Sequence, residues 1–327
     1  MQDAAPARDG AAAVRSVAFH RNFQRFQGGH LKVFHYFEHV RSSPSYEARI
    51  SFTADSLWDD SNPWSGLRET VIPVEDAVDA DVLFLAGMDW RSLPPARRVD
   101  SPAPIVNLIQ GFRHTRPGDA AYEFLAHRAI RLCVSPEIEE RLRGLGSVRG
   151  PIFTVPIGLD LERLPAPRPQ DERDIDCVIL AVKDRENGRS LARRLKSLGH
   201  HVLLVDRALP RDQLLDAMAR ARATVHLPAL VEGAYLPALE SMALGALVIC
   251  PDCLGNRSFC RDGETCLVPV REERAILEAT CAALSESADA LEPLLAAARL
   301  ECASRSLAAE RTRFLEILGR VEDLWSA

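Results

Sequence analysis

Glu232 and Glu240 bracket the stretch in this 327-residue chain whose residue types and spacing could do chemistry, V-E-G-A-Y-L-P-A-L-E-S-M-A-L-G-A-L-V-I from Val231 to Ile249. The apolar run Ala223 to Leu227 reads as a buried strand, a short loop with Gly233 follows, and Pro237 opens a helical pattern that stops at Gly245. A second apolar run, Leu247 to Cys250, closes the unit. A loop that feeds backbone N–H groups into a helix start presents unpaired donors and about half a positive charge, a setting for a phosphate or diphosphate. Gly233, Ala234, Tyr235 and Leu236 form that turn. Glu240 sits about one turn inside the helix with its side chain leaning back toward the N-terminal end, where a carboxylate accepts from both hydroxyls of a ribose. Glu232, before the turn, is placed to grip hydroxyls of a sugar attached to the diphosphate. Taken singly, each glutamate reads equally well as an ordinary acid, one in a loop and one in a first helical turn.

Together, E-G-x-x-L-P-x-x-E followed by S-M-A-x-G-x-x-V resembles the E-x7-E signature of retaining, GT-B-fold glycosyltransferases of the family-4 (group 1) type, which use nucleotide-diphosphate sugars. The resemblance runs on through P-D-C-L-G-N-R-S-F-C-R-D-G-E-T-C-L-V-P, Pro251 to Pro269. Two positions depart from the family pattern. Tyr235 stands where a small residue is common, which bears on how closely the backbone meets the phosphate, and Ser258 stands where an acid often follows Asn-Arg.

The elements that must position this stretch alternate strand and helix in both halves, which implies an α/β fold of two doubly wound parallel sheets with the ligand in the cleft between them. The first strand spans Ser16 to Phe23, and Gly28 and Gly29 lie between it and a helical pattern over His30 to His39. Adjacent glycines there let backbone pass close to a ligand. Further strands are Tyr46 to Phe52, Ala80 to Ala86, Ile105 to Gln110 and Ile130 to Ser135, with a helix over Ala120 to Ala129 and another opened by Ser135-Pro136. Trp58 to Trp64 has no helical or strand period and reads as a long surface loop of the kind that carries acceptor specificity. Arg113, His114 and Arg116 cluster at the carboxyl end of a parallel strand, where open α/β sheets bind ligands. In the second half, strands at Cys177 to Val182, His201 to Asp206 and Ala223 to Leu227 alternate with helices over Ser190 to Leu198 and Arg211 to Arg222. The chain then turns helical over Glu272 to Ser285, Ala290 to Ser304 and Leu307 to Trp325.

The resemblance adds roles to these positions. It implies a GT-B fold of two Rossmann-like domains facing a central cleft, with the Gly28-Gly29 pair beside donor and acceptor, and His114 facing the transferred sugar. It directs two basic residues at the diphosphate, for which Lys183 and Arg189 are the nearest matches, with Arg185 competing. V-P-I-G-L-D, Val155 to Asp160, is similar to the family's end of its first domain, with Ile157 in place of the usual Asn. The division that follows is a lead-in over 1–14, an acceptor-side domain over 15–163, a Pro- and charge-rich linker over 164–176, a donor-side domain over 177–304, and a helix over 305–327 that crosses back. Retention without a placed nucleophile implies that the leaving diphosphate helps deprotonate the incoming hydroxyl. The cations perform the service a metal gives elsewhere, so no cofactor and no metal is required, and no D-x-D pair precedes a sugar site.

Composition excludes several classes. A formal net charge of -6 gives no basic bias, so nucleic acid is not a partner. No apolar run reaches the roughly 18 residues of a spanning helix, and Met1 to Val14 lacks a charged start followed by a hydrophobic block, so a cytoplasmic protein is expected. Eight cysteines in a chain that builds its own core do not form a disulfide framework. Cys250, Cys253, Cys260 and Cys266 lack the paired knuckles of common zinc folds and read as reduced thiols lining a loop. The crowded glycines Gly144, Gly146 and Gly150 miss the dinucleotide-binding spacing, which sets a nicotinamide dehydrogenase aside. The expected partners are a nucleotide sugar donor and a glycan or lipid-linked acceptor, the latter bringing peripheral membrane contact. The rival readings are a nucleotide-sugar epimerase or phosphorylase of related fold, and a catalytically silent nucleotide-sugar-binding protein.

Overall fold

Short runs rich in Val, Ile and Leu, buried on both faces, alternate with helices, and such a chain forms parallel sheets covered on each side. The computed structural model describes residues 14–326, so the expected lead-in lies, apart from Val14, outside the described residues. Strands β1 (Arg15–Arg21), β2 (Tyr46–Phe52), β3 (Val82–Ala86), β4 (Ile105–Ile109), β5 (Ile130–Cys133) and β6 (Ile152–Thr154) form one parallel sheet in the order β2-β1-β3-β4-β5-β6. Helix α1 (Gly28–Arg41) joins β1 to β2, single turns α2 (Val74–Ala77), α3 (Pro95–Val99) and α4 (Ala120–Glu123) precede β3, β4 and β5, and α5 (Pro136–Arg143) precedes β6. Ser135 caps α5 by accepting from the Ile138 N–H at 3.4 Å.

The second parallel sheet holds β7 (Ile175–Leu180), β8 (Val202–Val205), β9 (Ala221–His226) and β10 (Leu247–Ile249) in the order β10-β9-β7-β8. Helices α6 (Arg185–Ser197), α7 (Arg211–Arg220) and α8 (Leu236–Ala243) connect them, and α9 (Glu273–Ser285), α10 (Ala288–Ser304), α11 (Leu307–Gly319) and α12 (Val321–Ser326) finish the chain. The architecture is two doubly wound α/β units, as the alternation implies.

Five local expectations are corrected. The helix over Ala120 to Ala129 ends after one turn because the buried Arg131 guanidinium takes the carbonyls of Phe124 and Leu125 at 3.0 and 3.2 Å, together with that of His127. The helix expected from Ser190 starts at Arg185, since Gly188 brings its first turn against β7: a Cβ on Gly188 would lie 2.1 Å from the Ala181 Cβ. Trp64 is no surface residue. It is fully buried, and its ring meets the edges of Phe34 and Phe37 and that of Phe52. The second sheet begins at Ile175, inside the expected linker. The last helix is broken at Arg320 into α11 and α12.

The return of the chain to the first sheet is built on apolar contact and one buried acid. Phe314, Ile317, Leu318 and Val321 join the core under α1, where Phe314 meets Tyr36 edge-on at 4.8 Å. Beside them, the Glu310 carboxylate accepts from Lys32 Nζ at 2.8 Å, His39 Nε2 at 3.0 Å and the Gly158 N–H at 2.6 Å. Burial pushes this carboxyl up, but the Lys32 ammonium and His39 outweigh it and hold its pKa at about 2. Gly158 keeps the crossing close, for a Cβ there would stand 3.0 Å from both the Glu310 Cβ and the Ser306 carbonyl oxygen and push them apart by a few tenths of an ångström.

Replacing Glu310 by Gln strands the buried Lys32 charge and is expected to cost about 3–5 kcal/mol of unfolding free energy at neutral pH. Because the folded-state pKa lies at about 2 and the ordinary value is 4.5, this stabilisation is complete above pH 4.5 and is lost as the pH falls toward 2. Urea unfolding of both proteins across that range should show the gap closing.

Candidate functional site

The carboxyl ends of both sheets supply the groups that face one another. After β7 comes Lys183, and after β9 comes the loop with Glu232; β7 and β9 are neighbours, so the two side chains meet. Lys183 Nζ lies 2.5 and 2.6 Å from the two Glu232 oxygens, and the Ala229 N–H donates to Oε1 at 3.0 Å. The Glu232 side chain is largely buried while Lys183 is half exposed, so the ammonium side of the pair is open to an incoming anion.

The loop from Gly233 to Leu236 is held from two directions. Gly255 packs so closely on it that a Cβ would lie 2.6 Å from the Glu232 carbonyl oxygen, and the Tyr235 N–H donates to the Gly255 carbonyl at 2.8 Å. Pro237 has no N–H, and the Ala238 N–H goes to the Tyr235 carbonyl at 3.3 Å. The donor capacity of the turn therefore falls on Gly233 and Ala234, a narrower set than the expected Gly233 to Leu236, because the fold already uses the N–H of Tyr235 and that of Leu236, which donates to the Ala234 carbonyl at 3.1 Å. Tyr235 does not cross the mouth of the loop. Its ring is buried, edge-on to His226 at 5.6 Å, in a cluster with Cys250, Cys253 and Cys260, and burial raises its hydroxyl pKa well above the usual value.

Glu240 lies one turn into α8 and is buried, with Arg211 at the start of α7 reaching one of its oxygens at 2.6 Å. Burial raises its pKa, and Arg211 pulls against that rise. Arg189 is not part of this group. It sits within α6, mostly exposed, and pairs with Asp206 after β8 at 2.8 Å, because the earlier start of the helix turns it away from Glu232. Arg185 opens the same helix and also acts on Asp206.

Across the cleft, Gln110 and Gly111 follow β4 and touch the donor loop. A Cβ on Gly233 would stand 2.0 Å from the Gln110 carbonyl oxygen and 3.1 Å from the Gly111 Cα, so only glycine fits this approach. Gln110 Nε2 donates to the Gly29 carbonyl at 3.3 Å, while a Cβ on Gly28 would meet nothing within 4 Å. His114 is buried, with Nδ1 3.1 Å from the Gly111 carbonyl, which makes Nδ1 the protonated nitrogen and leaves Nε2 as a buried acceptor with no partner among the described residues. Burial lowers its pKa to about 4, so the ring is neutral at physiological pH. Arg113 turns elsewhere and pairs with Asp119, the cap of α4, at 3.1 Å.

Several residues of this region were not singled out from the sequence. Gln110 occupies the carboxyl end of a parallel strand, the rule that pointed to Arg113 and His114. Arg21, at the end of β1, donates to Asp89 at 2.7 Å and lies 2.9 Å from His30 Nδ1, a buried trio next to the glycine pair. No spacing in the sequence announces it. Cys250, Cys253, Cys260 and Cys266 are free and buried, and Asn256 Nδ2 donates to Cys250 Sγ at 3.2 Å. Among the described residues, no group of three or more His, Cys, Asp or Glu side chains converges as a metal-holding set.

Residues 159–286 match the family model described as glycosyl transferases group 1. No curated protein matches the chain in sequence. Among solved structures, the chain superposes on sucrose-phosphate synthase from Thermosynechococcus elongatus with a TM-score of 0.69 at 14% identity, over 94% of this chain and 99% of that one. It superposes on Anabaena HepE in complex with UDP and glucose with a TM-score of 0.71 at 10% identity, over 93% and 99%. For the lipopolysaccharide outer core galactosyltransferase WaaB in its apo form the values are 0.65 and 13%, over 93% and 99%. At these identities the superpositions establish the shared GT-B fold.

Gly255→Ala should force the Glu232 loop out of place, since the three nearest atoms its Cβ would meet, at 2.6, 2.8 and 2.9 Å, all belong to residue 232 itself. A loss of about 1–3 kcal/mol is expected, measured by denaturant unfolding against wild type.

Proposed function

We propose that this GT-B glycosyltransferase, whose residues 159–286 carry the glycosyl transferases group 1 domain, moves a sugar from a nucleotide-diphosphate donor to an acceptor hydroxyl with retained anomeric configuration. The Lys183–Glu232 pair carries this reading, for it follows adjacent parallel strands and lies beside a glycine turn that meets Gln110 and Gly111 of the first domain. In the free protein each charge is spent on the other. A diphosphate arriving at the Gly233 and Ala234 N–H groups would compete for Lys183, and the exchange frees the Glu232 carboxylate to accept hydroxyl hydrogens of the sugar. Glu240 would hold the ribose through the oxygen that Arg211 leaves open.

The acceptor then enters from the first domain. Its oxygen bonds to the anomeric carbon as the bond from that carbon to the diphosphate oxygen breaks, and the diphosphate takes the hydroxyl proton as it leaves. The products are a glycoside and a nucleoside diphosphate. His114 Nε2, a neutral acceptor, suits a hydroxyl of the sugar. Lys183 balances the charge that builds on the leaving group, a service that makes a metal unnecessary in this reading. The product is a step in glycan, polysaccharide or glycoconjugate synthesis. With a lipid-linked acceptor, the enzyme would work at a membrane surface, for which the basic row Arg185, Arg189, Arg193 and Lys196 along α6 is suited.

Screening nucleotide sugars for protection against heat unfolding should find one that adds about 2.7 kcal/mol at a hundred times its dissociation constant. Incubation of that donor with and without acceptor separates transfer from epimerisation or phosphorolysis. Lys183→Met should lower kcat by about a hundred-fold or more, and His114→Ala by about ten-fold or more, in product-formation assays. A His114→Ala enzyme with unchanged transfer would remove that residue from the site.

A further inference from the structure

Gln110 touches more of the opposed loops than any single motif indicates. Its side chain reaches back to the glycine pair through the Gly29 carbonyl at 3.3 Å, and its own carbonyl oxygen meets Gly233 of the donor loop. The next residue, Gly111, also lies against Gly233, and its carbonyl orients His114 at 3.1 Å. Four features that the reaction must keep in register therefore converge on the end of β4: the first-domain glycine pair, the donor loop, the bare Nε2 of His114 and the closure of the cleft. Backbone-to-backbone contact at Gly233 leaves no side chain to absorb an error, so a shift of β4 is passed directly to the loop that carries Glu232.

We propose that Gln110 is the positioning residue that sets the acceptor-side glycine pair against the donor loop, so that glycosyl transfer depends on it and donor capture does not. This rests on the function proposed above. Donor contacts come from the second domain through Lys183, Glu232, Gly233, Ala234 and Glu240, with His114 the one first-domain residue that meets the sugar, and the Gln110 side chain is turned to Gly29 instead. What Gln110 sets is the distance and angle between a held donor and a hydroxyl arriving over Gly28 and Gly29, a quantity on which rate depends steeply. The amide is specific for the task, since only its N–H end can donate to the Gly29 carbonyl.

The test uses the full chain with UDP-glucose and GDP-mannose as donor probes, comparing wild type with Gln110→Leu, Gln110→Glu and Gly233→Ala. Gln110→Leu keeps bulk and loses the donor; its affinity for the donor by calorimetry should stay within about two-fold, while transfer falls about ten-fold or more and hydrolysis of the donor by water is spared. Gln110→Glu should behave likewise at neutral pH and regain transfer relative to wild type as the pH drops through the carboxyl range, because the protonated acid again donates. Without any ligand, Gly233→Ala should raise the radius of gyration in small-angle scattering, and Gln110→Leu should speed amide exchange over residues 28–31. Unchanged scattering and exchange overturn the contact and the proposal with it. Wild-type transfer by Gln110→Leu, or equal losses of transfer, hydrolysis and donor affinity, overturns it as well. Failure of wild type to bind or turn over any nucleotide sugar strikes instead at the proposed function, and the ligand-free arms still decide whether Gln110 sets the two loops.

Discussion

The Glu310 carboxylate, buried, accepts from an ammonium, an imidazole and a backbone amide that come from α1 and from the strand exit at Gly158. One acid on the returning helix therefore joins the first domain's leading helix to the point where the chain leaves for the second domain. A charge removed from water is tolerable only when its partners are held in place. That demand makes the crossing a rigid joint, and the apolar contacts of Phe314, Ile317 and Leu318 extend it into the first core. The two halves of the chain thus meet at this joint and again at the approach of Gly233 to Gln110.

Electrostatics at the cleft follows the opposite design. Lys183 reaches the largely buried Glu232 from the solvent side, so an incoming anion meets the ammonium first, and when the pair opens the carboxylate keeps the Ala229 N–H as a partner. His114 and His30 are both kept neutral with pKa values near 4, chiefly by burial, so neither competes with Lys183 for a phosphate by carrying charge. Asp89, whose pKa burial raises to about 6 against the pull of Arg21, steadies the wall behind the glycine pair. The site thus concentrates its mobile charge on the second domain and presents largely neutral hydrogen-bonding groups from the first.

Much of the fold was legible along the chain because parallel strands buried on both faces are written as apolar runs, and helix starts such as Ser135-Pro136 carry their own caps. The places where reading failed share a cause. Arg131 ended a helix from another strand, Trp64 found a pocket made by α1 and β2, and Gly188 let α6 begin a turn early by meeting Ala181. Each is decided by packing between one element and another rather than within an element, and local periodicity does not report such contacts.

The same division holds for the site. Residue order alone determined that a glycine turn enters a helix between two glutamates, with Lys183 at the end of a preceding strand, because motif spacing and strand polarity are local properties. Only the folded chain decided that Lys183 closes on Glu232, that Arg189 turns to Asp206 and Arg113 to Asp119, that Tyr235 folds inward, and that Gln110 stands between the two glycine loops. Side-chain partners are chosen by distances across packed elements, and those distances exist only once both sheets and the returning helix are in place.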